Sequence, residues 1–218
     1  MQLQELVKEA VGILKRNYIL AAPTIISSFL AAFSSLVIMG TAPEPSTIIA
    51  VGLFISVIGL FAHGVTIAMA REALDTGETS FATATETSRN KLVPLLSVSI
   101  AMTFLILVGF SVFLIPGLIA AFALIYALPA VVLDGNGALE AIRRSFGLAR
   151  AHLADTFVLF TAIVFSTLVL AIVNAMLGII PLLGQLMNVV ITGAYGAVVA
   201  TVMVQAYLRL SPSEGSRT

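Results

Sequence analysis

The sequence contains no cysteine and few charged residues. Of its 218 residues, 10% are charged and 59% are hydrophobic, and the mean hydropathy is +1.09. The missing cysteine excludes disulfides and thiolate metal sites and leaves no indication of the redox compartment. Soluble domains usually contain about 25% charged and about 45–50% apolar residues. A soluble domain of this size could not bury so much apolar surface, so the composition predicts an integral membrane protein.

Neither sign of charge is in excess. Eleven Lys and Arg balance eleven Asp and Glu, which gives a formal net charge of zero. Nucleic-acid-binding domains usually present a basic excess, and acidic tails usually show an excess of the opposite sign. We therefore predict no nucleic-acid partner.

Six apolar runs are long enough to cross a bilayer, which requires about 20 residues in a helix. None has a Lys, Arg or Glu in its interior, and the first lacks the cleavage site of a removed signal peptide. They predict an all-α, polytopic membrane protein with one transmembrane domain over residues 1–210 and a disordered tail over residues 211–218. The six runs are residues 18–40, 47–70, 92–115, 117–133, 155–178 and 186–208.

The positive charges predict the orientation. All eleven Lys and Arg precede the first run, follow the sixth, or lie in the connections after the second and fourth. The other connections contain Glu44 as their only charged residue. Because short loops rich in Lys and Arg stay on the cytoplasmic side, both termini are expected in the cytoplasm. The absence of a eukaryotic targeting signal favours the plasma membrane of a prokaryote.

Helix-breaking residues mark the three connections on the opposite side. Pro43 and Pro45 lie in the first, Pro116 and Gly117 in the second, and Pro181 with Gly184 in the third. Proline cannot continue a helix beyond its first turn, and glycine tolerates turn geometry. The six spans are therefore expected to pair as three antiparallel hairpins.

Residues 2–16 form an amphipathic pattern. At about 100° per residue, seven apolar side chains fill one arc and the charged side chains fill the other. Such a helix lies in the membrane interface or packs on the ends of the spans, and a lipid-sensing or partner-docking role is the alternative. The apolar arc consists of Leu3, Leu6, Val7, Ala10, Val11, Ile13 and Leu14.

Two further segments lie on the predicted cytoplasmic side. Residues 71–91 are expected to form a surface elbow, because three threonines disfavour a short helix that Ser80 could cap. Residues 138–153 predict a second amphipathic helix after a turn at residues 134–137. Its expected apolar face is Leu139, Ile142, Phe146, Ala149 and Leu153, and its expected outward interaction face is Glu140, Arg143, Arg144 and Arg150.

The second amphipathic segment resembles a known family. Pro129, Ala138, Leu139, Ala141, Ser145, Phe146 and Leu148 match the hallmark of the membrane domain found in some glycerophosphodiester phosphodiesterases and in related uncharacterised prokaryotic proteins. Ala151 departs from it, since glycine is common there. The resemblance covers residues 113–160 and implies a six-span fold without assigned chemistry. A catalytic barrel of about 250 residues would not fit in the chain, so phosphodiesterase activity is not expected.

Four polar residues form a candidate intramembrane site. His63 is the one ionisable residue in the middle of a predicted span, whereas Asn174, Gln185 and Asn188 lie near the outer end of the last hairpin. His63 is expected to make an interhelical hydrogen bond or to serve in gating or proton transfer. The amides are expected to bond across helices or to line a site for a small neutral solute.

No cofactor and no metal are expected, because zinc needs three or four ligands and His63 has no neighbouring His, Cys or carboxylate along the span. A catalytic serine would need an oriented histidine, which the sequence does not suggest. Small residues Gly193, Gly196, Ala197 and Ala200 predict close helix packing within the bundle or in a homo-oligomer.

The sequence therefore favours a non-catalytic membrane protein, either a scaffold that organises lipid or an accessory subunit that binds a partner protein. The alternative is a transporter or channel for a small neutral or amphipathic molecule. A polar cavity that reaches mid-membrane and touches His63 would favour transport. A solidly packed bundle with an apolar groove open to lipid would favour the scaffold.

Overall fold

The computed structural model describes residues 2–41, 43–180 and 183–211. In these ranges the chain is helical and forms no strand. A 3₁₀ helix, Tyr18–Ala21, precedes α2. Pro181, which we predicted to break the last hairpin, and residues 212–218 of the predicted tail lie outside the described residues. The α-helices are α1 Leu3–Arg16, α2 Ala22–Thr41, α3 Pro45–Thr76, α4 Phe81–Asn90, α5 Leu92–Val112, α6 Leu114–Ala123, α7 Ala127–Asp134, α8 Ala138–Ala151, α9 Leu153–Leu177 and α10 Leu183–Leu210.

Six helical segments are long and apolar enough to cross a membrane, which confirms the predicted all-helical protein with six apolar spans. The segments are Tyr18–Thr41, Pro45–Thr76, Leu92–Val112, Leu114–Asp134, Leu153–Leu177 and Leu183–Leu210. The second is longer than predicted, because α3 continues past residue 70 and ends at Thr76. The next residue, Gly77, has a φ of +82°, which suits a residue without a side chain.

The fourth span differs from the single helix predicted over residues 117–133. It consists of α6 and α7, which a turn at residues 124–126 separates. Pro116 and Gly117 do not form the preceding reversal, which is made by extended backbone at Phe113. Pro116 lies instead in the first turn of α6, where its missing N–H leaves no helical hydrogen bond unmade.

Helices α4, α7, α8 and the termini of the described chain meet at one end of the bundle, called here the basic end. There α1 packs on α10, burying Leu6 and Ala10, and Arg209 forms an ion pair with Glu9 at 3.3 Å. Within the bundle, α2 packs on α3, α5 on α6, and α9 on α10. The fourth and sixth spans are the most buried of the six.

Close packing between α2 and α10 depends on Gly193. A Cβ atom placed on Gly193 would lie 2.6 Å from the Cα of Ile25 and 2.7 Å from its N. The hydroxyl of Thr24 donates a 2.7 Å hydrogen bond to the carbonyl oxygen of Gly193. The small residues predicted to pack closely on the sixth span thus do so at Gly193 and at the buried Ala197.

The surface elbow expected at residues 71–91 is wrong in part, because residues 81–90 form α4. The side chain of Ser80 caps this helix by accepting a 3.4 Å hydrogen bond from the N–H of Thr83. The carboxylate of Glu72 accepts from the N–H of Ser80 at 2.8 Å, and Ala84 and Ser88 are buried. Capping and packing against α3 therefore outweigh the low helix propensity of threonine.

Candidate functional site

A cavity of about 400 Å³ lies between α2, α3, α7, α9 and α10. Much of its wall is aliphatic, including Ile67 on α3 and Leu128 on α7. In a helical bundle, a pocket of this size with a few polar groups is the usual form of a binding site for a small molecule. Its polar lining groups include Ser27, Ser28, His63, Thr167, Thr192 and Tyr195.

His63 reaches this cavity from α3 and lies next to Gly196 of α10. A Cβ atom on Gly196 would stand 3.8 Å from the Cε1 of His63 and 3.4 Å from the Cγ2 of Thr24. His63 is exposed, and within the part of the chain that the structure describes it makes no hydrogen bond. The expected interhelical hydrogen bond is therefore not found there, and the imidazole is available to an occupant of the cavity.

Two of the predicted amide residues, Asn174 and Asn188, are connected by a hydrogen bond. The Nδ2 of Asn174 donates to the hydroxyl of Thr192 at 3.1 Å, and the Nδ2 of Asn188 donates to the carbonyl oxygen of Asn174 at 3.3 Å. Thr192 lines the cavity, so this pair adjoins it. Both Oδ1 atoms are buried and lack a hydrogen-bond partner in the described ranges. Gln185 is half-buried on the same helix and does not line the cavity.

Tyr195 fixes the wall that α9 and α10 share. Its hydroxyl lies 2.8 Å from the Oγ of Ser166 and 2.7 Å from the Oγ1 of Thr167. It also donates to the carbonyl oxygen of Ile163 at 3.3 Å. Because one tyrosine holds two adjacent hydroxyls, the position of α9 relative to α10 is well defined at the cavity.

The break in the fourth span lies next to the cavity, which Leu128 lines. Ser145 of α8 forms hydrogen bonds with the backbone groups that this break leaves unpaired. The Oγ of Ser145 accepts a 3.0 Å hydrogen bond from the N–H of Tyr126 and donates a 2.7 Å bond to the carbonyl oxygen of Ala123. The turn leaves these two backbone groups without hydrogen-bond partners inside a helix. The hydroxyl of Ser145 provides a partner for each of them. The sequence offered Ser145 only as part of a family motif, with no indication of this role.

Residues 96–210, more than half of the chain, match the family model described as a domain of unknown function, DUF7847. The chain belongs to the DUF7847 family. The matched range includes Ser145, the break in the fourth span and the α9 and α10 walls of the cavity. No curated protein and no solved structure matches the chain.

Within the DUF7847 region, the face that α8 packs against the bundle coincides only in part with the predicted apolar face. Ala141, Ser145 and Ala149 are buried, whereas Leu139 and Phe146 of the predicted apolar face are 61% and 54% exposed. The predicted apolar face is therefore divided, because Ala149 is buried and Ile142 is half-buried, whereas Leu139 and Phe146 point away from the bundle. Small side chains bring the backbone of α8 close enough for Ser145 to reach the break.

One member of the predicted outward face also turns inward. The Nε of Arg144 lies 3.7 Å from the Oδ2 of Asp134, and its guanidinium donates to the hydroxyl of Ser211 at 2.6 Å. The hydroxyl of Tyr207 donates to the same carboxylate of Asp134. Arg144 thus joins α8 to α7 and α10. Glu140, Arg143 and Arg150 are exposed as predicted.

Lys91 binds the C-terminal end of α7, at the basic end of the bundle. Its ammonium donates to the carbonyl oxygen of Val132, one of the last carbonyls of that helix. Burial lowers the pKa of Lys91, and the nearby charge of Asp134 partly opposes that shift. A cation at a helix C-terminus also interacts favourably with the helix dipole.

Sequence reasoning missed Gln205 in the DUF7847 region. Gln205 is 3% exposed on α10, and neither its Oε1 nor its Nε2 has a hydrogen-bond partner among the described residues. It does not line the cavity. The only signal was an amide in an otherwise apolar run. In the described ranges, no three His, Asp or Glu side chains are placed to hold a metal ion.

Proposed function

We propose that this protein is a membrane carrier that binds a small amphipathic molecule in the cavity beside His63. The observation that carries this proposal is a space of about 400 Å³ with aliphatic walls, several hydroxyl groups and one imidazole. Hydrophobic pockets with a few placed polar groups bind ligands and orient them. The proposal reverses the preference drawn from the sequence, where a cavity touching His63 was the feature that favoured transport.

The bilayer is the proposed source of the ligand. His63 and Thr167 are exposed at the cavity, and the outward surface of α9 is apolar, with Phe165, Leu168 and Ile172 exposed. A molecule dissolved in the acyl chains would reach the cavity without crossing water. Its apolar part would contact Leu128 and Ile67, and its polar part would bond to hydroxyls and to His63.

The break in the fourth span supports transport over storage. Discontinuous spans often border the binding sites of transporters, because they allow part of a span to move. Leu128 follows the break and lines the cavity. Movement of α7 relative to α6 would change the cavity at its basic end.

The membrane arrangement is part of the same proposal. The spans pair as three antiparallel hairpins, both termini are cytoplasmic, and α1 and α8 lie at the cytoplasmic interface of a prokaryotic plasma membrane. The segregation of Lys and Arg in the sequence supports this orientation. The protein is proposed to be non-catalytic, as is implied for the barrel-free relatives of the phosphodiesterase membrane domain.

Gly196→Leu tests the carrier proposal. Leucine at this position would fill the cavity between Thr24 and His63, so we expect the bound molecule to be reduced about tenfold or more. The measurement is native mass spectrometry of protein extracted gently from its own membrane, with every co-purifying small molecule recorded.

Gly52→Leu is the matched control, because a Cβ atom on Gly52 meets nothing within 4 Å. It should retain the bound molecule at the wild-type level. Equal retention by both variants, or a wild-type protein with no small molecule bound, would count against the cavity as a binding site.

A scaffold that organises lipid is the second candidate function. It is favoured by exposed side chains on α8, where Leu139 and Phe146 alternate with Arg143 and Arg150. This candidate does not depend on the cavity.

A further inference from the structure

The exposed face of α8 includes a narrow stripe of four large side chains. Leu139, Arg143, Phe146 and Arg150 follow one another at intervals of four, three and four residues and are all exposed. At about 100° per residue they fall within about 60° of the helix circumference. Ser145, on the buried face, lies about 130° around the helix from the centre of the stripe.

The short connections of α8 determine where this stripe can lie. Residues 135–137 join α8 to the end of the fourth span, and His152 alone joins it to α9. Ser145 holds the other face of α8 against residues 123 and 126 of the fourth span. Helix α8 is therefore fixed at the boundary where two apolar spans end.

The surface next to α8 continues the apolar character of the stripe. Leu153 and Phe157, in the first turns of α9, are exposed beside α8. In a spanning helix such side chains face acyl chains. Leu139 and Phe146 thus have an apolar environment available at the same boundary, which explains why two large hydrophobic side chains are exposed.

The two arginines add a charge preference to this position. Guanidinium groups form paired hydrogen bonds with phosphate, and their long aliphatic stems allow the charge to reach the headgroup layer. We propose that the stripe binds anionic phospholipid headgroups. Leu139 and Phe146 insert among the acyl chains, and Arg143 and Arg150 contact phosphates. The inference rests on the second candidate function and is independent of the cavity.

Because the sequence contains no cysteine, a single introduced cysteine can be labelled specifically to test this inference. A full-length Phe146→Cys variant would carry one environment-sensitive fluorophore, and Glu140→Cys, on the flank of the same helix, would carry the matched probe. Both are placed in phosphatidylcholine nanodiscs that contain a small fraction of brominated lipid. We expect brominated lipid to quench the probe at position 146 strongly, and aqueous iodide to quench it less than the probe at position 140.

Charge selectivity is measured by comparing brominated phosphatidylglycerol with brominated phosphatidylcholine at equal mole fraction. Each arginine near an anionic lipid surface is expected to contribute about fivefold to local enrichment. Excess quenching by phosphatidylglycerol should therefore fall about fivefold in Arg143→Gln or Arg150→Gln and be retained in the corresponding lysine variants. Arg89→Gln, an exposed arginine on α4, should leave it unchanged.

Three results would overturn the inference. Strong iodide quenching at both positions would place the stripe in water. Shielding of position 146 from iodide and from brominated lipid would show that a protein partner covers it. Equal quenching by the two lipids would show insertion without recognition of charge. Gly196→Leu should not alter the lipid preference, and Arg143→Gln should not alter retention of the cavity ligand, so the two proposals fail separately.

Discussion

Gly193→Ala is expected to reduce the free energy of unfolding by about 3 kcal/mol, the upper end of the usual cost of overpacking a core. The added Cβ atom would lie 2.6 Å from the Cα of Ile25 and 2.7 Å from its N. These are backbone atoms of a spanning helix, so a side-chain rotation cannot relieve the contact. Separation of α2 from α10 would also weaken the hydrogen bond from Thr24 to the Gly193 carbonyl.

The unfolding of Gly193→Ala can be followed by far-ultraviolet circular dichroism as denaturing detergent is added to mixed micelles. Gly52→Ala makes the same substitution in a spanning helix, where the new Cβ atom meets nothing within 4 Å. It should be neutral or slightly stabilising, because alanine favours helix over glycine. Similar losses in both variants would show that the contact with Ile25 is not the cause.

Ser145→Ala is expected to have an effect of similar size, a loss of about 2–4 kcal/mol in the free energy of unfolding. The substitution leaves the N–H of Tyr126 and the carbonyl oxygen of Ala123 without the partner that Ser145 provides. Each buried backbone group left unsatisfied typically costs about 1–3 kcal/mol. The loss should concentrate at the turn between α6 and α7.

Hydrogen exchange in nanodiscs locates this loss. The amides of residues 124–127 should exchange faster in Ser145→Ala than in the wild type, while those of α2 should not change. Ser97→Ala is the control, because the hydroxyl of Ser97 bonds only locally to the carbonyl oxygen of Val93 and is exposed. If exchange at the turn were unchanged, Ser145 would not be what stabilises it.

The six spans could be predicted from the sequence because their apolar composition over about 20 residues is sufficient evidence for crossing a bilayer. The turn at residues 124–126 could not. It interrupts the fourth span without a glycine or proline at the turn, and its stability comes from Ser145, a residue on another helix. Tertiary hydrogen bonds of this kind leave no local pattern.

The orientation of α8 shows a second limit. Periodicity identified an apolar face at Leu139 and Phe146, but in a membrane protein bulky apolar side chains can face lipid as well as the core. The face with Ala141 and Ser145 packs inward because it is small and carries a hydroxyl that the break requires. Hydrophobicity alone cannot choose between these two faces.

The candidate site was predicted in part. His63 was selected because an ionisable group within a span is costly, and the structure places it at a cavity. Asn174 and Asn188 were expected near each other and are connected by a hydrogen bond. Arg144 was assigned to the outer face from helix periodicity. Periodicity could not show that the fold brings Arg144 and Tyr207 to the same carboxylate of Asp134.

The divided fourth span also affects how the protein is made. Helix α6 has 10 residues and a length of about 15 Å, about half the hydrocarbon thickness. Its turn is completed by Ser145, which the ribosome adds after the whole span has been synthesised. The hydrogen bonds of the turn can therefore be completed only after α8 has been synthesised, so the final packing of the fourth span depends on a helix that follows it in the chain.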